Sequence, residues 1–267
     1  MRLHRQLSLS TQAGVAVLLL DRPAALNALT RELRRELHEV LERLAGDETV
    51  RAVVLSGQGR AFCAGADLKE AGSGSVEREL LEEYRPCFDV IAGMEKPVIA
   101  AVAGSASGVG LSLALHCDLL VMADDAFLCT AFGRIGLVPD GGASWLLVRQ
   151  LGYRLAFALA IEAERIPAAR ALQLGLANRV VAEAQLMEHS RSWAARLAAL
   201  SPLAVAGTKK LMRMAMNAEF DAVFRGEAVL QERCAQSEFF QKCLREFRHK
   251  RAAEKPPAGR DADGDHQ

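Results

Sequence analysis

Four short apolar runs constrain this chain more than any other feature: Val15–Leu20, Ala52–Ser56, Val98–Val102 and Leu119–Met122. Each is about one strand long, is bounded by turn residues, and reads as a buried strand. Helical patterns lie between them, and strand–helix–strand alternation indicates α/β layering. The first run closes at Asp21-Arg22-Pro23. Thr30 then offers an N-cap to a helix whose Leu33, Leu37, Leu41 and Leu44 share one face. The other face interleaves Arg31, Arg34, Arg35 and Arg43 with Glu32, Glu36, Glu39 and Glu42, a mixed-charge surface expected to be solvated. A second helix is expected over 76–94, before Pro97, and a short one from Gly108 to about His116. After Pro167 the pattern is almost wholly helical, with Pro202 opening one helix. Asp118, Asp124 and Asp125 bracket the fourth run and read as turn residues. The crossovers are uneven and no G-x-G-x-x-G follows a strand, which argues against a dinucleotide fold.

The 267 residues are 51% hydrophobic and 25% charged, enough to bury a sizeable core. Lys plus Arg equals Asp plus Glu at 33 each, so no net field favours nucleic acid or anionic lipid, and neither is expected as a partner. The six cysteines form no C-x-x-C pair and the six histidines lack metal-ligand spacing. Reduced thiols and no metal are the expectation. Met1–Ser10 lacks the apolar stretch of a signal peptide, and Val15–Leu20 is too short to span a bilayer. A soluble, cytoplasmic protein is expected. Residues 254–267 carry prolines, glycines and aspartates without an apolar anchor and are expected to be disordered.

Three segments, in order and spacing, resemble the crotonase, or enoyl-CoA hydratase/isomerase, family. They are Arg22-Pro23 through Leu26-Asn27-Ala28, then Ala61 through Leu68, then Lys96–Val102 through Gly108-Val109-Gly110, Cys117-Asp118 and Gly136–Gly142. Ala168–Val181 is also similar. The resemblance implies an α/β fold: a spiral of ββα repeats over 1–198, then a helical C-terminal trimerisation region over 199–253. Self-association as a trimer or a hexamer goes with it.

It also implies a chemistry. An acyl-CoA thioester loses a proton next to its carbonyl only if the charge arriving on oxygen is held, and two backbone N–H groups do this in the family. Carried over, they are the amides of Ala66 and Val109. Val109 stands where the family commonly has glycine, but a backbone donor survives the change, in a first helical turn that favours an anion. Glycine content alone fits tight strand–helix packing equally well. Ala64, Ala66, Asp67, Leu68 and Lys69, with Ala25 and Leu26, resemble the family's cradle for the adenine and pantetheine of CoA. Arg22, Lys69 and a neighbouring subunit's Lys250 are candidates for the phosphates. Asp67 is expected to order its own loop. The thioester is substrate, and no separate cofactor is implied.

Departures from the family pattern bear on the reaction. Family hydratases place two glutamates around a water; the corresponding positions here are Ser112 and Phe132, and neither supplies a carboxylate. Asp140 follows Pro139, where family isomerases carry an acid, and Gly136–Asp140 with Ser144–Leu147 looks closest to the ring-opening isomerases of epoxide-derived phenylacetyl-CoA. Aryl-CoA dehalogenases use an aspartate there as a nucleophile. An isomerase in which Asp140 shuttles a proton is therefore expected, with Phe132, Val138 and Trp145 excluding water. Read from the residues alone, Asp before Gly-Gly is also a good helix N-cap. A hydratase-like or aryl-CoA-processing enzyme and a non-catalytic CoA-binding assembly protein stay as alternatives. Gly104–Gly108 spells G-x-x-S-G and not a nucleophile elbow, and His116 reads as structural.

Overall fold

The computed structural model describes residues 5–253 apart from 71 and 73. Its chain divides into two compact units, one ending at Asn217 and one beginning at Ala218. The first unit is framed by a six-stranded sheet: β1 (Leu7–Gln12), β2 (Val15–Leu20), β3 (Ala52–Gly57), β4 (Val98–Val102), β6 (Leu119–Ala123) and β9 (Arg179–Val181), in that order. Pairing is parallel except for the β1–β2 hairpin, whose turn residues Ala13 and Gly14 both have positive φ. The inner strands are covered on both faces, which is why they read as continuous apolar runs. Edge strand β1 is half polar and carries no such run.

A second ribbon runs alongside. Short strands β5 (Ser105–Ser107), β7 (Phe127–Cys129) and β8 (Arg165–Pro167) pair in that order, and single bridges continue it from Ala106 to Cys63 and from Ala66 to Leu29. Each turn of the chain thus contributes one strand to the main sheet, one extended segment to the ribbon, then a helix. This is the expected spiral of ββα repeats.

Helix α1 (Arg31–Gly46) begins as expected, with Thr30 Oγ1 accepting from the Leu33 amide at 3.1 Å. Leu33, Leu37, Val40, Leu41 and Leu44 are fully buried on its sheet-facing side. Truncating one of them, as in Leu37→Ala, costs about 2–5 kcal/mol. The charged face is not uniformly solvated, because Arg34 and Glu36 are buried. Glu36 accepts from the Arg5 and Gln6 amides, both at 3.1 Å, and so stitches the entry to β1.

The helix expected over 76–94 is interrupted. It comprises α2 (Val76–Glu79), a π-turn over Leu80–Tyr84 and α3 (Arg85–Gly93). Pro86 lacks an N–H and its ring crowds the carbonyl four residues back, so the chain widens there and Arg85 N–H reaches the Leu80 carbonyl instead.

Next come α4 (Val109–His116), α5 (Ala143–Leu151), α6 (Tyr153–Glu162), α7 (Ala168–Gln173), α8 (Leu186–Ala198) and α9 (Pro202–Ala215). Helix α9 belongs to the first unit, which runs to Asn217. The cause is Asp118, which is no mere turn residue. It accepts from the Val98 amide at 2.9 Å and pairs with Lys209 at 2.7 Å and Arg213 at 2.9 Å on α9. The second unit holds α10 (Phe220–Ala235) and α11 (Glu238–Ala253), the latter begun by Ser237 accepting from the Phe240 amide. Residues 254–267, expected to be disordered, lie outside the described residues. Among the described residues no helix is long and apolar enough to cross a membrane.

Candidate active site

The segment following β3 is held from two sides. Asn27, fully buried, donates to the carbonyls of Gln58 and Ala61 and accepts from the Arg22 amide, at 3.1, 2.7 and 2.9 Å. Asn27 and Leu26 both sit at positive φ, 57° and 51°, a region asparagine tolerates better than most residues. The Arg22 guanidinium reaches the Ala28 carbonyl and pairs with Asp67 at 2.9 Å. Burial alone would raise the Asp67 pKa, but bonds from the Lys69 amide and Arg22 outweigh it and hold the carboxylate ionised. Asp67 therefore orders its own loop, and Arg22 is engaged within the fold. The Ala64 amide donates to Leu26 at 3.0 Å, bringing the residues expected to form the CoA cradle side by side.

The amide of Ala66 is aimed by this pairing. In the bridge to Leu29, the Gly65 carbonyl and the Asp67 amide face that residue at 2.7 and 3.1 Å. Extended backbone alternates, so the intervening Ala66 N–H points the opposite way. On that side lies the turn before α4. Gly65, at φ 104°, is so close that a Cβ there would stand 2.9 Å from the Ser107 carbonyl oxygen. Gly108, at φ 54° and ψ −131°, then swings the chain into α4 with Val109 first, and a first helical residue has no intrahelical acceptor for its N–H. Two backbone donors thus lie on adjoining turns, and Ala66 is exposed.

Asp140 comes to the same place from the other side. It opens a tight turn in which its carbonyl accepts from Ala143 N at 3.0 Å, with Gly141 and Gly142 at φ 58° and 84°. The N-cap of α5 is Gly142, so Asp140 does not cap that helix. Its Oδ1 is buried with no hydrogen-bond partner. Burial first, and then the charge of Glu79, push the carboxyl up to about 6. Such a group is ionised at neutral pH yet more basic than an ordinary carboxylate. Glu79 is itself anchored by buried Arg34 at 3.0 Å, which also bonds Glu83 at 2.6 Å and the Tyr84 hydroxyl at 2.9 Å.

The expected water barrier is only partly correct. Phe132 is buried, with Cε1 3.8 Å from where a Cβ on Gly108 would lie, beside the donor turn. Val138 and Trp145 are 79% and 40% exposed and do not wall the carboxylate. The Asp140 turn packs instead on Phe88, Val109 and Ser112. Leu68 and Lys69 are exposed on a 3-10 turn over Leu68–Glu70, and the side chain of Lys250 lies outside the described residues. Sequence reasoning missed the Asn27 buckle, although the motif displays that residue, and the Arg34–Glu79 pair, which no local spacing connects. Cys63 is no nucleophile, since burial pushes its thiol up to about 12.

The enoyl-CoA hydratase/isomerase family model matches residues 10–255. A probable enoyl-CoA hydratase of Rhodobacter capsulatus is 40% identical over 240 residues, spanning 89% of this chain and 93% of its own. The 1,2-epoxyphenylacetyl-CoA isomerase of Escherichia coli is 36% identical over 197 residues, 70% of this chain and 74% of its own. The crystal structure of an enoyl-CoA hydratase subunit I from Geobacillus kaustophilus superposes with a TM-score of 0.88 at 32% identity, covering 96% of this chain and 98% of that one. With the family model, the relatives and the spiral in agreement, this chain belongs to the enoyl-CoA hydratase/isomerase family.

Proposed function

We propose that the protein is an acyl-CoA isomerase working through an enolate. Asp140 takes a proton from the acyl chain, the Ala66 and Val109 amides hold the charge that moves onto the thioester oxygen, and Asp140 returns the proton at another carbon. The observation that carries this reading is the half-buried carboxyl of Asp140, whose Oδ1 is buried without a partner, placed where its pKa rises and where no capping role accounts for it. Ser112 and Phe132 stand at the two positions where the family's hydratases have glutamates. The acid–base pair that positions a water is therefore lacking there. The reaction needs no metal or cofactor beyond the CoA carried by the substrate.

In this reading Ala25, Leu26, Ala64, Ala66, Asp67 and Leu68 cradle CoA, with Lys69 and a neighbouring subunit's Lys250 toward its phosphates and Phe132 against the acyl end. Arg22 supports the cradle through Asp67. Self-association as a trimer or hexamer belongs to the same proposal. Exposed apolar side chains of the first unit, among them Leu137, Val138, Tyr153 and Phe157, support it.

A second reading, hydration, is favoured by the names of relatives such as the Rhodobacter protein. Turnover of an acyl-CoA panel separates the two. Migration of the double bond of a 3-enoyl-CoA, or ring isomerisation of an epoxide-derived phenylacetyl-CoA, with negligible hydration of crotonyl-CoA is the expected result. Efficient hydration of crotonyl-CoA would overturn the single-carboxylate reading.

A further inference from the structure

Helix α4 serves both halves of the site with one face. Val109, Ser112 and His116 fall at i, i+3 and i+7, so their side chains share a side. All three meet the Asp140 turn. Ser112, fully buried, donates from Oγ to the Asp140 carbonyl at 2.8 Å. His116 Nε2 lies 2.9 Å from the next carbonyl, that of Gly141. Gly141 is pressed so closely on the helix that a Cβ would stand 2.9 Å from Ser112 Cβ and 3.0 Å from Val109 Cγ2.

The His116 ring is fixed in its turn. It stacks on Phe88 with centroids 4.5 Å apart and planes 4° from parallel, and its Nδ1 is buried without a partner. Burial favours the neutral ring. The tautomer that bonds Gly141 carries its proton on Nε2, leaving only a lone pair on Nδ1. Asp140, by contrast, has a buried Oδ1 that nothing holds, so its aim depends on its backbone. That backbone runs straight into two glycines at positive φ, which by themselves restrict little.

The geometry points to Ser112 and His116 as positioning residues. They clamp the consecutive carbonyls of Asp140 and Gly141, and thereby set the reach of the Asp140 carboxylate relative to the Val109 amide on the same helix. This inference rests on the reading of Asp140 as the proton shuttle. It also gives Ser112 a purpose: a hydroxyl donates to a carbonyl, whereas an ionised glutamate at that position cannot. The charged and titratable groups around Asp140 are Glu79 and Tyr84, from α2 and the π-turn, and His116 from α4.

The test compares Ser112→Ala, His116→Phe and His116→Gln in the full-length protein. Phenylalanine keeps the stack on Phe88 and loses the donor; glutamine places an amide N–H near the position of Nε2. Ser112→Ala and His116→Phe are each expected to lower kcat about 10–100-fold, the scale of a misplacement near 1 Å, with KM held within about threefold. The acid limb of kcat should move down from about 6, as the released turn admits water to Asp140. His116→Gln should recover most of the rate. Carbon-13 titration of the Asp140 carboxyl should shift in the same direction, and this readout does not depend on turnover.

Equal behaviour of the Phe and Gln variants would overturn the clamp. So would a Ser112→Ala protein with unchanged kcat, unchanged titration and an unchanged unfolding midpoint. If Ser112→Ala does not fold, Ser112→Cys, similar in size and a weak donor, carries the same comparison. Asp140→Asn is the separate control: turnover surviving that change overturns the shuttle itself, while the carbon-13 titration still decides the clamp.

Discussion

The two halves of the site are held by different means. On the Ala66 side the chain is fixed by its own backbone: bridges to Leu29 and Ala106, and the buried Asn27 amide bonding three main-chain groups. On the Asp140 side a glycine turn depends on side chains of α4, and its one charged group has a buried oxygen without a partner. A backbone donor supported by backbone pairing tolerates changes of side chain, which is how valine stands at position 109 without loss of the N–H. A carboxylate must be both desolvated and aimed, so its surroundings are specific in every residue. On the proposed reading, the first half can be shared across different reactions, while the second selects one.

Substitutions can break or sharpen this contrast. The largest effect expected is from Asp140→Asn, which should lower isomerase turnover by about 10³-fold, within the range of a lost general base, with ligand binding retained. Steady-state kinetics beside calorimetric titration with an acyl-CoA checks it. Asn27→Ala should act on the fold instead. It leaves buried backbone groups without partners and places alanine at positive φ, a loss of about 3 kcal/mol seen in urea unfolding. If it lowered kcat without lowering stability, the anion side would not be braced as described.

A subtler expectation links the halves through pH. The carboxyl of Asp140 rises from its ordinary 3.8 to about 6 in the folded protein, so between those values the native state binds the proton more firmly. The stability this group contributes is complete below pH about 4 and is lost as pH rises to about 6. Asp140→Asn removes that loss, and its melting temperature should exceed the parent's at pH 8 by about 2–4 °C, with the difference vanishing near pH 4. The smallest effect is expected from Ala66→Ser. The N–H is unchanged, so kcat should vary by less than about threefold.

The frame of the molecule was legible because β2, β3, β4 and β6 are covered on both faces and so are written as unbroken apolar runs. Thr30 announced α1 for an equally local reason, since its hydroxyl needs only a neighbouring amide. Strands β5 and β7 were not legible: three residues are too few for any period to show. Arg34 looked like one charge among many on a mixed face, and only tertiary packing beneath Glu79, Glu83 and Tyr84 buries it. In the candidate site, Ala66, Val109 and Asp140 were picked out by motif position, and the fold brings the segments that carry them together. The claim of an N-cap at Asp140 failed because two glycines follow it and the second takes the cap. His116 was readable as structural, but the carbonyl it meets is 25 residues away in sequence.

The π-turn over Leu80–Tyr84 has a consequence for how this chain tolerates length changes. A π-turn is an α-helix carrying one surplus residue, and each α-helical residue accounts for about 100° of rotation. Deleting a residue within the turn would let the helix run straight with its flanks nearly in phase, whereas deleting one from the regular turns of α3 would revolve everything before it by roughly that angle about the axis. Glu79 would swing off Arg34 and its charge would leave the neighbourhood of Asp140. A deletion in α3, distant in sequence from Asp140, would thus act as a dial on the acidity of that carboxyl, and on the proposed reading the chain length from Glu79 through α3 is part of the chemistry.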